Sequence, residues 1–346
     1  MEYEVTIGIP VYNVEKYIRK TLESALAQTF SSIEFLVLDD CGTDASIEIV
    51  RDMQSKYPRG CDIRIVSQSQ NMGIGEARNK ILDTASGKYL YFMDADDTIE
   101  ANTIELLYDN AKRYNADIVY GSYERIETFG DEVKHVSFQF ESKQFLQEDE
   151  FASWTYDSYG NLPAMVWNML IDIDIFRKNA LRFPSVSYWE DFAMTTDLPT
   201  YIHRAVLLPD ITYHYYCRVN SASNFQERSH IDKKEIENVI SAMAIVKCNS
   251  HRIADKPYFH KRMLKVMKTH FFMCQSILRN RSLISPSFTA REIRDVMKSP
   301  LSFAETLMLK GLRTKNLIFY SLGMLPPTVS VALMIIILFH SRYCKI

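Results

Sequence analysis

Asp94-Ala95-Asp96-Asp97 follows directly on the apolar run Tyr89-Leu90-Tyr91-Phe92-Met93. A short strand ending in three carboxylates sets concentrated negative charge at the edge of a sheet, where water and ligands reach it. Such oxygen ligands suit a hard divalent cation: Mg2+ or Mn2+ is commonly held by one or two carboxylates and completed by substrate phosphates. The chemistry implied is binding of a metal-bound diphosphate. Spacing alone does not establish it, because Asp172-Ile173-Asp174 repeats the triplet. That second triplet has no Gly-initiated strand before it and reads as a solvated helix start.

Four other segments offer matching chemistry. Ile9-Pro10-Val11-Tyr12-Asn13 closes the first apolar run. There Pro10 stops a sheet and the Tyr12 ring is able to face a nucleobase, ordinary edge packing being the alternative. Asp39 and Asp40 end the next run and offer carboxylates to base N–H groups or ribose hydroxyls, with Thr43 or Asp44 capping the helix beyond. Asn71-Met72-Gly73-Ile74-Gly75-Glu76-Ala77-Arg78-Asn79 opens a helix whose N-terminus and Arg78 favour a diphosphate. Far downstream lies Tyr188-Trp189-Glu190-Asp191-Phe192. His214 reads either as an added metal ligand or as a structural histidine, since it has no partner at ligand spacing. Trp167 reads equally as a ring for stacking on a sugar and as core.

The elements that must position these residues alternate through the first 125 positions. Strands are expected at 5–10, 33–38, 63–67, 89–93 and 118–123, and helices at 14–28, 44–57, 75–86 and 101–114. This predicts an α/β fold with a Rossmann-like, mostly parallel central sheet flanked by helices, whose ligands bind beyond the carboxyl ends of the strands. Residues 130–165 read as an irregular, polar and aromatic segment over the site. From Ile231 onward helical periodicity takes over, with Phe259, Met263, Val266, Met267, His270, Phe271 and Cys274 on one stripe and Lys261, Arg262, Lys265 and Lys268 largely off it. The expected division is a catalytic domain at 1–225 and a helical, basic C-terminal region at 226–346.

The 346 residues, 47% hydrophobic and 24% charged, suffice for one large domain with an appendage and exclude a disordered chain. Six cysteines at 41, 61, 217, 248, 274 and 344 form no C-x-x-C pair and no regular spacing, which argues against a zinc site or disulfide framework and fits a reducing compartment. The first residues carry acids and enter a strand at once, so no secretory leader is expected. The net charge of -3 conceals a division: residues 256–346 hold 15 Lys+Arg against 3 Asp+Glu, which leaves the rest strongly acidic. A basic tail with an apolar end points to a membrane surface rather than to nucleic acid. Residues 317–339 are free of charge, yet Pro326-Pro327 divides them. This favours an in-plane or re-entrant element on the cytoplasmic face of the cell membrane, with a buried terminal helix as the alternative.

In this order and spacing the segments resemble the family 2 glycosyltransferases of GT-A fold, of the bacterial cell-surface polysaccharide type. The resemblance covers about residues 5–220. It rests on Pro10-Val11-Tyr12-Asn13, Asp39-Asp40, the Asn-x-Gly-x-x-x-Ala-Arg-Asn run from 71 to 79, and Gly87-Lys88-Tyr89 leading to Asp94-Ala95-Asp96-Asp97. Val166-Trp167-Asn168, Leu181-Arg182-Phe183-Pro184, Glu190-Asp191 and Tyr215-Tyr216-Cys217-Arg218 complete it.

The resemblance implies an inverting, metal-dependent transfer of a hexosyl or N-acetylhexosaminyl group from a nucleotide-diphosphate sugar, UDP-linked first among donors, to a glycan or lipid-linked saccharide. Asp40, with Pro10, Tyr12, Asn13 and Asp39, is then expected at the nucleotide. Asp94, Ala95 and Asp96 match the Asp-x-Asp that holds ribose and Mn2+ or Mg2+, with Asp96 nearest the ion and His214 as a further ligand. Trp167 and Asn168 fall at the acceptor, and Asp191, beside Glu190, at the catalytic base. The physical logic agrees, since displacement at an anomeric carbon needs a base for the acceptor hydroxyl and a cation for the departing diphosphate, and one carboxylate cannot serve both. The chain departs from the pattern at Cys41-Gly42-Thr43, where Gly-Ser-Thr is usual, and at Met169, where many members carry Lys. Two other readings are nucleotidyl transfer, which needs a basic Gly-rich loop where Tyr12-Asn13-Val14 stands, and a non-catalytic sugar-nucleotide or glycan-binding module, which predicts a damaged metal or base position.

Overall fold

The computed structural model describes residues 3–129, 132–157, 162–217, 229–309 and 313–343. Arg218 of the last quoted motif lies outside them. The elements run β1 (Val5–Val11), α1 (Ile18–Leu26), β2 (Ile33–Asp39), α2 (Ser46–Lys56), β3 (Ile63–Ser67), α3 (Ile74–Thr84), β4 (Tyr89–Phe92), β5 (Thr98–Ile99), α4 (Thr103–Tyr114), β6 (Ile118–Phe129), β7 (Glu132–Phe138) and β8 (Lys143–Phe145). There follow α5 (Glu150–Asp157), β9 (Met169–Asp172), α6 (Asp174–Lys178), α7 (Glu190–Asp197) and β10 (Ala205–Cys217). The rest is helical apart from two short strands: β11 (Ile231–Asp232), α8 (Lys233–Asn249), α9 (Phe259–Arg279), β12 (Ile284–Ser285), α10 (Ala290–Val296), α11 (Phe303–Met308), α12 (Arg313–Met324) and α13 (Pro327–Tyr343).

The chain forms two compact units, Met1–Phe151 with Ala164–Ser185 and Tyr201–Asn224, and Ala152–Pro163 with Val186–Thr200 and Phe225–Ile346. The first is built on one sheet with the strand order β3-β2-β1-β4-β9-β6-β10-β5, β7 pairing with β6 and β8 with β10. Its βαβ half is parallel, as the alternation of signals predicts: β1 pairs in parallel with β2 and β4, and β2 with β3. Beyond β4 the sheet is mixed, because β9 inserts antiparallel between β4 and β6 while β6 and β10 run parallel. The whole is a GT-A-like mixed sheet flanked by helices.

Every residue of β1 is buried, because the strand is paired on both edges and covered on both faces. A Cβ at Gly8 would stand 2.6 Å from Ile81 Cγ2, so glycine there lets α3 lie close on the sheet. Helix α1 turns Ile18, Leu22, Ala25 and Leu26 inward, the i, i+4, i+7, i+8 stripe of an amphipathic helix.

Part of the 130–165 stretch, expected to be irregular, is strand and helix. Exposed on both faces, β7 carries no apolar alternation to read, yet it pairs antiparallel with β6 and stacks Phe138 on Tyr123 at 4.8 Å. Asp172 ends β9, and its Oδ1 accepts the Asp174 N–H at 3.0 Å, so the decoy triplet is a strand-to-helix junction.

The second unit has a core of its own around Met263, Met267, Phe271 and Cys274 of α9. Arg262, read as lying off the apolar stripe, is fully buried there. It pairs with Asp197 and donates to the Tyr156 hydroxyl at 2.7 Å and to the Thr196 carbonyl at 2.9 Å. No helix of the described residues is long and apolar enough to cross a membrane.

Candidate active site

Strand register brings three of the acidic and aromatic segments to one edge of the sheet. Val11 stands opposite Asp39, and Gly8 opposite Phe92. The Asp40 N–H donates to the Val11 carbonyl and the Met93 N–H to the Gly8 carbonyl, each at 3.0 Å. Tyr12, Asp40 and Asp94 therefore leave the sheet together at its C-terminal edge, where α/β ligands bind.

The Asp40 side chain is 3% exposed and meets three donors: Gln68 Nε2 at 2.7 Å, the Met72 N–H at 2.9 Å and the Gly73 N–H at 3.1 Å. Its carboxylate thereby fixes the loop that enters α3. An ionised carboxylate offers about four acceptor sites, so one is left over for a ligand N–H. Asp39 accepts two bonds, Oδ1 from the Cys41 N–H at 3.0 Å and Oδ2 from the Ser67 hydroxyl at 3.1 Å, which tie the end of β2 to its following loop and to the end of β3. Asn13 sits at φ 52° and its Oδ1 takes the Thr43 N–H at 2.7 Å, tying the end of β1 to the loop after β2. Asn tolerates the left-handed region because its short polar side chain bonds locally. Pro10 is buried within β1. The Tyr12 ring is 48% exposed, so edge packing does not account for it.

Arg78, expected at a diphosphate, is 5% exposed in α3, with Nη2 3.3 Å from Asp94 Oδ1 and its guanidinium over the Phe183 ring. This cation offsets the Asp94 charge. Asp97 turns the other way: it is fully buried, with Oδ2 accepting the Tyr213 hydroxyl at 2.8 Å and Oδ1 the Tyr216 N–H at 2.9 Å. Burial, reinforced by Asp94, pushes its carboxyl well above the usual range against those two donors. The Asp94 N–H in turn donates to the Tyr213 oxygen at 3.2 Å. Of the three carboxylates, Asp97 thus anchors the turn to β10, while Asp94 and Asp96 are partly exposed. Sequence reasoning missed this anchor, because its partners Tyr213 and Tyr216 lie more than a hundred residues downstream.

Among the described residues no group of three His, Cys, Asp or Glu side chains is arranged to hold a metal. Two partly exposed carboxylates with one residue between them, Asp94 and Asp96, fit an ion completed by a substrate's phosphates, as Mg2+ and Mn2+ commonly are.

Several expected contacts are corrected. Trp167 is 6% exposed, stacked on Tyr213 at 4.3 Å and on Tyr215 at 5.6 Å, so it fills the core beneath the turn and not an acceptor subsite. Asn168 is 2% exposed, and its Nδ2 donates to the Gly121 and Ser122 carbonyls at 2.8 and 2.9 Å. Its Oδ1 accepts the Thr212 hydroxyl at 2.7 Å and the Tyr91 hydroxyl at 3.2 Å, which leaves no polar group for a sugar. Gly121 allows this approach, since a Cβ there would overlap Thr212 Oγ1. The Ala95 methyl is buried core, leaving only its backbone for a ligand. His214 follows Tyr213 on β10 and so points to the opposite face from Asp97. Its Nε2 lies 2.7 Å from Glu100 Oε1 and its Nδ1 3.4 Å from Glu124 Oε2, so its ring is held between these two carboxylates.

Glu190 and Asp191 belong to the second unit, in the first turn of α7. Glu190 is 6% exposed, and Asp191 Oδ1 accepts the Phe192 N–H at 2.6 Å. Trp189 before them holds φ 64°, an uncommon backbone for a bulky residue, and its ring tilts onto Phe192 at 4.9 Å. The other end of α7 is fixed by the Asp197–Arg262 pair, with Asn249 Nδ2 2.6 Å from Asp197 Oδ2.

Comparison with known proteins places this arrangement. Residues 6–167 match the family described as Glycosyl transferase family 2. Glycosyltransferase GlyA of Streptococcus pneumoniae is 42% identical over 121 residues, 35% of this chain but only 17% of GlyA, so the likeness covers one segment of that longer protein. YibD of Escherichia coli K12, an uncharacterized glycosyltransferase, is 24% identical over 275 residues, which cover 75% of this chain and 76% of YibD. Among solved structures, Staphylococcus aureus TarS 1–349 in complex with UDP superposes with a TM-score of 0.65 at 19% identity, covering 92% of this chain and 90% of TarS 1–349. The sheet and its acidic strand ends fall largely within residues 6–167, the segment that matches Glycosyl transferase family 2.

Proposed function

We propose that the protein is an inverting glycosyltransferase that takes a hexosyl or N-acetylhexosaminyl group from a nucleotide-diphosphate sugar, UDP-linked first among donors, and passes it to a glycan or lipid-linked saccharide of the cell surface at the cytoplasmic face of the membrane. The observation that carries this reading is the single edge where Tyr12, Asp40 and Asp94 emerge, with Arg78 paired to Asp94. The exposed Tyr12 ring supplies a face for a nucleobase, and Asp40 keeps one acceptor site for a base N–H. Asp96, with Asp94, would hold Mn2+ or Mg2+ together with the donor's diphosphate, and the ion would supply charge neutralisation for the leaving group. Arg78 keeps Asp94 from adding a full negative charge beside that diphosphate. Asp191 would accept the proton of the acceptor hydroxyl, with Glu190 beside it. The UDP complex of TarS, on a similar fold, supports the choice of nucleotide.

The test is incubation of the purified protein with radiolabelled nucleotide sugars with and without Mn2+, scoring hydrolysis and transfer. Asp191→Asn is expected to abolish transfer while UDP binding survives, and Asp96→Ala to weaken Mn2+-dependent UDP binding by calorimetry. Near-normal turnover of Asp191→Asn overturns the assignment of the base. Incorporation of a nucleotidyl group in place of the sugar would favour nucleotidyl transfer, and UDP-sugar binding with no turnover for any donor or acceptor would favour a binding module.

A further inference from the structure

Helix α13 carries no charged side chain from Pro327 to Phe339, and it is apolar on two faces. One face is covered: Ser330, Met334 and Leu338 are buried, and the Ser330 hydroxyl donates to the Leu322 carbonyl at 2.7 Å, fastening α13 to α12. The other face lies open, with Val329 45%, Leu333 38%, Ile336 60% and Ile337 38% exposed, at the i, i+4, i+7, i+8 spacing of one stripe. On α12, Ile318 and Met324 are also exposed, and Arg313 and Lys315 at its start are exposed as well. A soluble helix that buries one apolar face presents a polar one to water, so an apolar outer stripe marks an interaction surface.

Resting on the reading of a membrane-proximal acceptor, we propose that the outer stripe of α13, with Ile318 and Met324 of α12, docks in the interface of an anionic lipid bilayer, the helix lying in the plane of the membrane. Charge selects this occupant. From residue 306 to the end the sequence has five basic residues, Lys310, Arg313, Lys315, Arg342 and Lys345, and no Asp or Glu. A second copy docking on the same stripe would bring two such basic segments together, whereas phosphate headgroups neutralise them. Length decides the orientation. The 17 residues of α13 rise about 26 Å at 1.5 Å each, short of the roughly 30 Å hydrocarbon core. Its inner face is also committed to the core of its own unit, so only one stripe is available to lipid, the arrangement of an interfacial helix.

The test uses the full chain in flotation with vesicles of phosphatidylcholine alone and of phosphatidylcholine with phosphatidylglycerol. Binding is expected on the anionic vesicles, weakened by salt. A triple variant Leu333→Ser, Ile336→Ser, Ile337→Ser should lose at least tenfold in vesicle affinity, and Arg313→Glu with Lys315→Glu should remove the preference for anionic lipid. All these side chains are exposed, so an unchanged far-UV spectrum and thermal midpoint should accompany the loss. Equal binding to neutral and anionic vesicles, or binding that survives the triple variant, overturns the proposal. So does a dimer in sedimentation that the triple variant dissociates while vesicles bind neither form. Donor-sugar hydrolysis in detergent-free solution separates this proposal from the glycosyltransferase reading: hydrolysis without vesicle binding sinks the docking surface alone, and vesicle binding without hydrolysis sinks the enzyme reading alone.

Discussion

Replacing Asp40 with Asn removes one charge and reverses one acceptor at a site with three donors and almost no access to water. The wild-type oxygens receive Gln68 Nε2 at 2.7 Å, the Met72 N–H at 2.9 Å and the Gly73 N–H at 3.1 Å. In Asp40→Asn the amide oxygen keeps at most two of these, and the new NH2 must face the third donor. Gly73 has a second acceptor, Asn71 Oδ1 at 3.1 Å, so the least costly arrangement turns the NH2 toward Gly73. What is lost is the charge assistance on two bonds and all of a third, where a hydrogen bond to a charged group contributes about 1.5–3 kcal/mol and an unsatisfied buried donor costs about 1–3 kcal/mol. With Asn71 offsetting part of this, the expected loss is about 2 kcal/mol. Urea unfolding at pH 7 measures it as a lower midpoint at unchanged slope. Calorimetry with UDP should show a parallel weakening, because the same carboxylate positions the loop that leads to Arg78. A variant as stable as the wild type, with UDP binding abolished, would refute the reasoning: Asp40 would then serve the nucleotide alone, and its three bonds to the loop would contribute nothing to stability.

Other outcomes follow from the same geometry. Trp167→Phe should lower stability while leaving the acceptor KM within twofold, since the ring packs on Tyr213 and Tyr215; a tenfold rise in KM at unchanged stability would return Trp167 to the acceptor. Arg78→Met should raise the Mn2+ dependence of UDP binding, because Asp94 loses the cation 3.3 Å away; equal metal dependence in both proteins would show that the pair is electrostatically idle. His270 is 2% exposed, and burial, with Lys247 adding repulsion, lowers its pKa from 6.5 to about 3. The unfolded chain therefore binds its proton first, so stability is whole above pH 6.5 and falls by up to about 1.4 kcal/mol per unit as pH drops toward 3. His270→Leu should flatten the urea midpoint between pH 6.5 and 5, where carboxylates add little; parallel curves for the two proteins would show that His270 carries no linkage.

The sequence by itself determined the local and the repetitive. Strand β3 matches the expected 63–67, and β1, β2 and β4 agree within a residue, because short apolar runs bounded by Gly, Pro and Asp leave little choice of start and end. That Tyr12, Asp40 and Asp94 share one edge was legible for the same reason: a parallel sheet puts the residues after each strand on one edge whatever the rest of the fold does. The exposed strand β7 was not legible, since a strand wet on both faces has no alternation.

Only the tertiary structure decided which carboxylate does what. Spacing marked Asp94 and Asp96 but left Asp97 without a role; Tyr213 and Tyr216, more than a hundred residues away, take Asp97 into the core, and Arg78 pairs with Asp94. Likewise Trp167 and Asn168 became core, and His214 turned away from the acidic turn, because β10 runs beside β6 in a particular register. Long-range pairing sets burial, burial sets which polar groups are consumed by the protein itself, and no spacing along the chain encodes that. The apolar outer stripe of α13 illustrates the same limit: the charge-free run was plain in the sequence, but which half of it would be covered was fixed only by packing against α12 and the core of the helical unit.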